Sequence, residues 1–194
     1  LVVDCLKSLE PEVKSNGNKK IAVVVVDNAS NDGSVDIIQS AIDTHIWQGW
    51  VTLIPSPVNG GFSAGNNVGI KAVEAEAYLL LNSDTIVRPG AIAELLQAAE
   101  EHPEAGLISP RLEWPDGTPQ ISCFHYHSPL SELIDAAATG PITALFKPYD
   151  VPIDVADEPF EPQWTSFACV LVRRAVFDQI GLMDDGYFMI FRRH

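Results

Sequence analysis

Two hydrophobic textures alternate along the first two thirds of the chain: short β-branched runs, and stretches in which apolar residues return every three or four positions. Leu1, Val2, Cys5, Leu6 and Leu9 recur at helical spacing. Pro11 predicts that this opening helix stops before the polar loop SNGNKK, because proline has no N–H to give a helix interior. Residues 21–26 have the length and β-branched character of a strand buried on both faces. Past the polar turn ASNDGS, Val35, Ile37, Ile38, Ala41 and Ile42 predict a second helix, and residues 50–54 a second strand. Residues 64–76 read as a helix and 78–81 as a strand. Pro89 suits a first helical turn and opens a helix through Glu101, and residues 106–109 form a further strand.

Strands and helices in this order predict an α/β fold, a doubly wound and mostly parallel sheet flanked by helices and joined by right-handed crossovers. Ligands of such sheets bind beyond the carboxyl ends of the strands. Two strands end abruptly on carboxylates there. The valine run closes in Asp27-Asn28, and LLLNSDTIVRP breaks from three leucines into Asn82, Ser83 and Asp84. After Pro110 the pattern changes to a small β-rich C-terminal part. It holds a hairpin turn at Trp114-Pro115-Asp116-Gly117, a short helix over 129–138, a long proline-rich acidic loop over 141–162, and an apolar strand over 164–172 that runs into Arg173-Arg174.

Composition narrows the function classes. With 194 residues, 46% hydrophobic and 20% charged, the chain can bury a core as one domain without metal or disulfide staples. A formal net charge of -14 disfavours a broad grip on nucleic acid or anionic lipid. A phosphate ligand therefore needs local help, from a helix N-terminus or a bound cation. Cys5, Cys123 and Cys169 are odd in number and lack metal-ligand spacing, which points to a reducing compartment. No apolar stretch approaches the roughly twenty residues of a spanning helix. The opening LVVDCLKSLE has neither a signal peptide's basic flank nor an initiator methionine and reads as mid-helix, which predicts a trimmed chain.

Each candidate motif has a structural and a functional reading. The glycines of NGGFSAGNNVGI match neither GxGxxG nor a P-loop, so they serve either tight packing or close ligand approach ahead of a helix whose backbone donors are free. Asp27 and Asp84 are each a capping or turn residue, or a carboxylate aimed rigidly from a strand end. Such an oxygen suits magnesium or manganese held largely through substrate phosphates. His125 and His127 alternate around Tyr126, as a metal pair without a third ligand or as a partly exposed strand. Among the four tryptophans, packing is the default, with Trp164 the candidate for stacking on a sugar.

Four blocks in this order, VVVVDNASNDGS, NGGFSAGNNVGI, LLLNSDTIVRPGAI and WTSFACVLVRRAVFDQIGLMDDGYFMIF, resemble family 2 glycosyltransferases of the GT-A fold, particularly the bacterial rhamnosyltransferase-like branch that extends cell-surface polysaccharides. The likeness covers nearly the whole chain, and the ordered set is far more specific than any block alone. It implies one domain over 1–194, with a nucleotide-sugar part over 1–110 and an acceptor part over 111–194. Asp27 would meet the nucleotide base, and Asn28 would be a further nucleotide-sugar contact. Asn59, Gly60, Gly61 and Asn66 would line the nucleotide-sugar pocket. Asn82-Ser83-Asp84 would be the DxD-like motif, with Asp84 the ligand of Mn2+ or Mg2+.

The implied reaction moves a sugar, such as rhamnose, from a nucleotide diphosphate sugar to a glycan or lipid-linked glycan acceptor, with inversion. The implied setting is the cytoplasm, at the inner face of the membrane with peripheral association of the full-length protein, and with no nucleic acid partner. Two departures accompany the likeness. Relatives begin with an additional first strand, which is absent here. They also continue the last block with an acid pair that includes the general base, where this chain has Phe191, Arg192, Arg193 and His194. The second departure predicts slow transfer and leaves Asp184 and Asp185 upstream without an assigned role. It also opens an alternative, a non-catalytic module of the same fold that binds nucleotide or glycan. A nucleotidyltransferase on a related sheet is a third reading, weakened by the missing basic phosphate loop.

Overall fold

The computed structural model describes residues 1–15, 20–128, 131, 151–156 and 158–187. The chain forms two compact units. One comprises Leu1–Ile108 with Leu171–His194, and the other Ser109–Val170.

The first unit alternates helix and strand as the pattern predicts: α1 (Val2–Ser15), β1 (Val23–Asp27), α2 (Ser34–His45), β2 (Val51–Pro55), α3 (Gly61–Ala72), β3 (Ala77–Leu81), α4 (Ala91–Glu101) and β4 (Leu107–Ile108). The second holds β5 (Leu112–Glu113), β6 (Pro119–Gln120), β7 (Cys123–Phe124) and β8 (Trp164–Thr165). Strand β9 (Cys169–Arg173) returns the chain to the first unit, and a last helix, α5 (Arg174–Ile180), follows.

Strands β1 and β2 pair in parallel, Val23 opposite Val51 through Asp27 opposite Pro55. A three-stranded ladder runs β3-β9-β4, with β4 and β9 antiparallel. Leu6, Ile38, Ile42, Trp47 and Val51 form one core cluster, and Cys5, Leu9 and Ile92 another, against which residues of both β1 and β3 pack. Val23 to Val26 are half-buried rather than enclosed on both faces. Among the described residues, β1 pairs with β2 alone.

Several boundaries differ from the sequence expectation for identifiable reasons. Helix α1 runs through Pro11 to Ser15 instead of stopping there. The turn beyond the proline is held by Glu12, whose buried carboxylate accepts the backbone N–H groups of Gly90 and Ile92 at 2.7 and 3.1 Å. Helix α3 starts at Gly61, three residues before the apolar period begins. The single strand expected over 164–172 is two, β8 and β9, interrupted at 166–168. Strand β7 ends at Phe124, so the alternation read into His125 and His127 is not strand geometry, and the His125 N–H goes to the Val151 carbonyl. The hairpin turn at 114–117 forms between β5 and β6, with Gly117 donating to the Trp114 carbonyl. Apart from Ser131, the helix expected over 129–138 lies outside the described residues, as do residues 141–150 and 157 of the loop over 141–162 and Phe191, Arg192, Arg193 and His194.

Candidate functional site

Asp27 is the last residue of β1 and is 7% exposed. Its Oδ2 accepts the Ser30 N–H at 3.1 Å, and among the described residues this is the one hydrogen bond that reaches the carboxylate. The loop beyond it is tightly wound, with Ala29 and Asn31 at positive φ of 59° and 53°, a conformation that costs a non-glycine residue energy and persists only where surroundings impose it. An open cavity of about 360 Å³ lies at this edge, lined by Asp27, Ala29, Asp32 and Ser34, from the end of β1 to the start of α2, and by Pro55 and Ser56 at the end of β2. Its size suits a small organic ligand. The Ser34 hydroxyl, then its N–H, holds the exposed Asp32 carboxyl below the usual carboxylate range. The cavity wall is therefore anionic, and bare phosphates gain nothing by lying against it.

The glycine and asparagine stretch meets the same loop. Asn28 Nδ2 donates to the Gly61 carbonyl at 2.8 Å, and Asn59 Oδ1 accepts the Gly61 N–H at 3.0 Å. Gly61 has φ +82°, open to glycine at no steric cost. A methyl at Gly60 would meet the Ala64 Cβ at 2.6 Å. These contacts bring Asn28, Asn59, Gly60 and Gly61 together at the N-terminus of α3. Asn66 Nδ2 turns back to the Phe62 carbonyl of its own helix.

Asn67, the next residue, is a contact that reading by residue type overlooked. It is buried, and its amide bonds Met183 reciprocally: Nδ2 to the carbonyl at 2.7 Å, and Oδ1 from the N–H at 3.0 Å. The signal available was the doubled asparagine at 66 and 67 in an otherwise apolar helical period. Met183 precedes Asp184, whose Oδ1 accepts the Gly186 N–H at 2.9 Å; Asp184 and Asp185 are exposed.

Asn82, Ser83 and Asp84 follow β3 directly. Thr85 closes the turn, its N–H and hydroxyl both donating to the Asn82 carbonyl at 3.2 and 2.7 Å. Ser83 and Asp84 are exposed and Asn82 half-buried. No described side chain hydrogen-bonds or ion-pairs with the Asp84 carboxylate. The Asp84 charge reaches Cys5: burial raises that thiol above its ordinary range and the Asp84 charge pushes the same way, against Thr85 and the N-terminal ammonium.

Among the described residues no three His, Cys, Asp or Glu side chains form a metal cluster. The set at 82–84 fits a hard divalent ion in one way. Asp84 supplies one carboxylate with no described partner on either oxygen, and the remaining positions would fall to ligand phosphates and water, the habit of magnesium-type sites.

The chain matches the family described as Glycosyl transferase family 2 over residues 2–181. It belongs to glycosyl transferase family 2. This family 2 chain is 29% identical, over 88% of its length and 58% of the relative's, to an N-acetylglucosaminyl-diphospho-decaprenol L-rhamnosyltransferase of Mycobacterium tuberculosis. It is 30% identical, over 87% of its length and 49% of the relative's, to the low-salt glycan biosynthesis hexosyltransferase Agl10 of Haloferax volcanii. The chain thus spans about half the length of these curated relatives. Among solved structures, the mannosyltransferase PcManGT of Pyrobaculum calidifontis, in complex with GDP-Man and Mn2+, superposes with a TM-score of 0.59 at 15% identity, covering 95% of this chain and 45% of that one. The family and the GT-A-like fold expected from the four blocks are both borne out.

Proposed function

We propose that this family 2 chain is a glycosyltransferase, and that it moves a sugar from a nucleotide diphosphate sugar to a hydroxyl of a glycan acceptor during cell-surface polysaccharide synthesis. The observation that carries the reading is Asp27: a buried carboxylate at a strand end, with one oxygen free of described partners, on the wall of a ligand-sized cavity. That oxygen accepts an N–H from the donor's base, and the bond from Asn28 to the Gly61 carbonyl ties the loop after Asp27 to the start of α3. Asp84 would hold the divalent ion, Mn2+ or Mg2+, that accompanies the donor diphosphate. What a bound ion supplies there is neutralisation of the departing diphosphate's charge. It also overcomes the repulsion that a chain of net charge -14 presents to two phosphates.

The named relatives support a rhamnosyl or related hexosyl donor and a lipid-linked acceptor. Such an acceptor supports a cytoplasmic setting for the full-length protein, with peripheral association at the inner face of the membrane. Among the described residues no helix is long and apolar enough to cross a membrane.

A thermal-shift panel of UDP, GDP and dTDP, each with and without Mn2+, tests the reading. At least one diphosphate with Mn2+ raises Tm well above the diphosphate alone, and Asp84→Ala removes the Mn2+-dependent part while leaving the rest. An equal Mn2+ response in the variant sinks the assignment of Asp84. Turnover of a nucleotide sugar by the same protein then separates a transferase from a binding module.

A further inference from the structure

The segment that carries Asp84, from Asn82 to Gly90, has no ladder or helix of its own; the Thr85 N–H closes on the Asn82 carbonyl, while those of Val87 and Gly90 need acceptors from outside the segment. Helix α1 supplies them from one face. Cys5, Ser8 and Glu12 stand three and four residues apart, which aligns them along the helix. Cys5 Sγ lies 3.8 Å from Thr85 Oγ1. Ser8 Oγ accepts the Val87 N–H at 2.9 Å while donating to the Cys5 carbonyl. Glu12 accepts from Gly90 and Ile92, with a relative exposure of 5%.

The segment is thus fastened to α1 at its start, middle and end, across some 80 positions of sequence. A buried carboxylate is a costly way to fill a core position, and an apolar residue there would serve packing alone. The same face reaches Asp84 from behind: Thr85 both closes the turn that presents Asp84 and touches Cys5.

We propose that Ser8 and Glu12 are positioning residues of the donor site: they hold the 82–90 segment so that Asp84 meets the ion and diphosphate in one geometry. The inference rests on the glycosyltransferase reading above and deepens it. Neither side chain touches the donor; each acts through the backbone of the segment.

The test uses Ser8→Ala, Glu12→Gln and the hydroxyl-retaining Ser8→Thr, with two readouts. Hydrogen–deuterium exchange of residues 82–90, without ligand, reads the fastening itself. Titration with UDP, GDP and dTDP, with and without Mn2+, reads its use.

Exchange in the segment should rise in Ser8→Ala and Glu12→Gln. Mn2+-dependent affinity should fall about fivefold for each lost hydrogen bond, with Mn2+-free binding unchanged and Ser8→Thr close to wild type. Unchanged exchange overturns the proposal, as does faster exchange with an unaltered Mn2+ increment, which would leave Glu12 a helix cap and nothing more. A wild-type protein with no Mn2+ increment for any diphosphate overturns the underlying donor-site reading, and the positioning role with it, even where exchange responds.

Discussion

Single side chains in this protein are set by which neighbours remain for them once the backbone has closed its own bonds. Asp27 and Asp84 both end strands, yet the first is buried with one oxygen engaged and the second is exposed with none. The contrast suits a base contact for one and an ion contact for the other. Cys5 sits between these worlds, part of an apolar cluster and within electrostatic reach of Asp84. Its thiol is raised above its ordinary value of 9.0, first by burial.

For an acid raised on folding, the unfolded chain loses its proton first. The contribution to stability is therefore whole below about pH 9 and shrinks as pH climbs towards the folded value. The advantage of wild type over Cys5→Ala in urea midpoints should narrow between pH 8 and pH 10, by no more than about 1.4 kcal/mol per pH unit. A constant difference across that range would contradict the burial assigned to the thiol.

At the level of elements, helices and strands whose apolar period is long were legible, and those fixed by distant partners were not. Residues 35–42 and 78–81 announced α2 and β3 because periodicity alone decides them. Helix α1 passes Pro11 because Glu12 finds donors on α4, some 80 positions away, and nothing local encodes that. Likewise Asp27, Asn28 and the glycines at 60 and 61 could be singled out by type. The Asn67 to Met183 bond joins two stretches 116 positions apart, and the doubled asparagine marks only one end of it. Losing that amide leaves two backbone groups of Met183 without partners, so Asn67→Ala should cost about 2 kcal/mol in urea unfolding. Asn67→Asp should recover little, since a carboxylate accepts from the N–H but repels the carbonyl. Full stability in Asn67→Asp would show that the carbonyl bond carries no weight.

For the molecule as a whole, the way the chain leaves and re-enters the first unit matters most. Ile108 faces Leu171 across an antiparallel pair, with Leu107 opposite Val172, and the sixty or so residues between form the second unit. In that register Pro110 comes level with Cys169, a gap that a two-residue Asn-Gly turn spans in ordinary hairpins. A protein with such a turn in place of residues 111–168 should fold and keep its Mn2+-dependent diphosphate response; loss of both would show that the fold depends on the excised piece. The arrangement resembles a socket. Whatever hangs from that doorway can lengthen, shrink or be exchanged, while the strands and turns that carry Asp27 and Asp84 stay as they were.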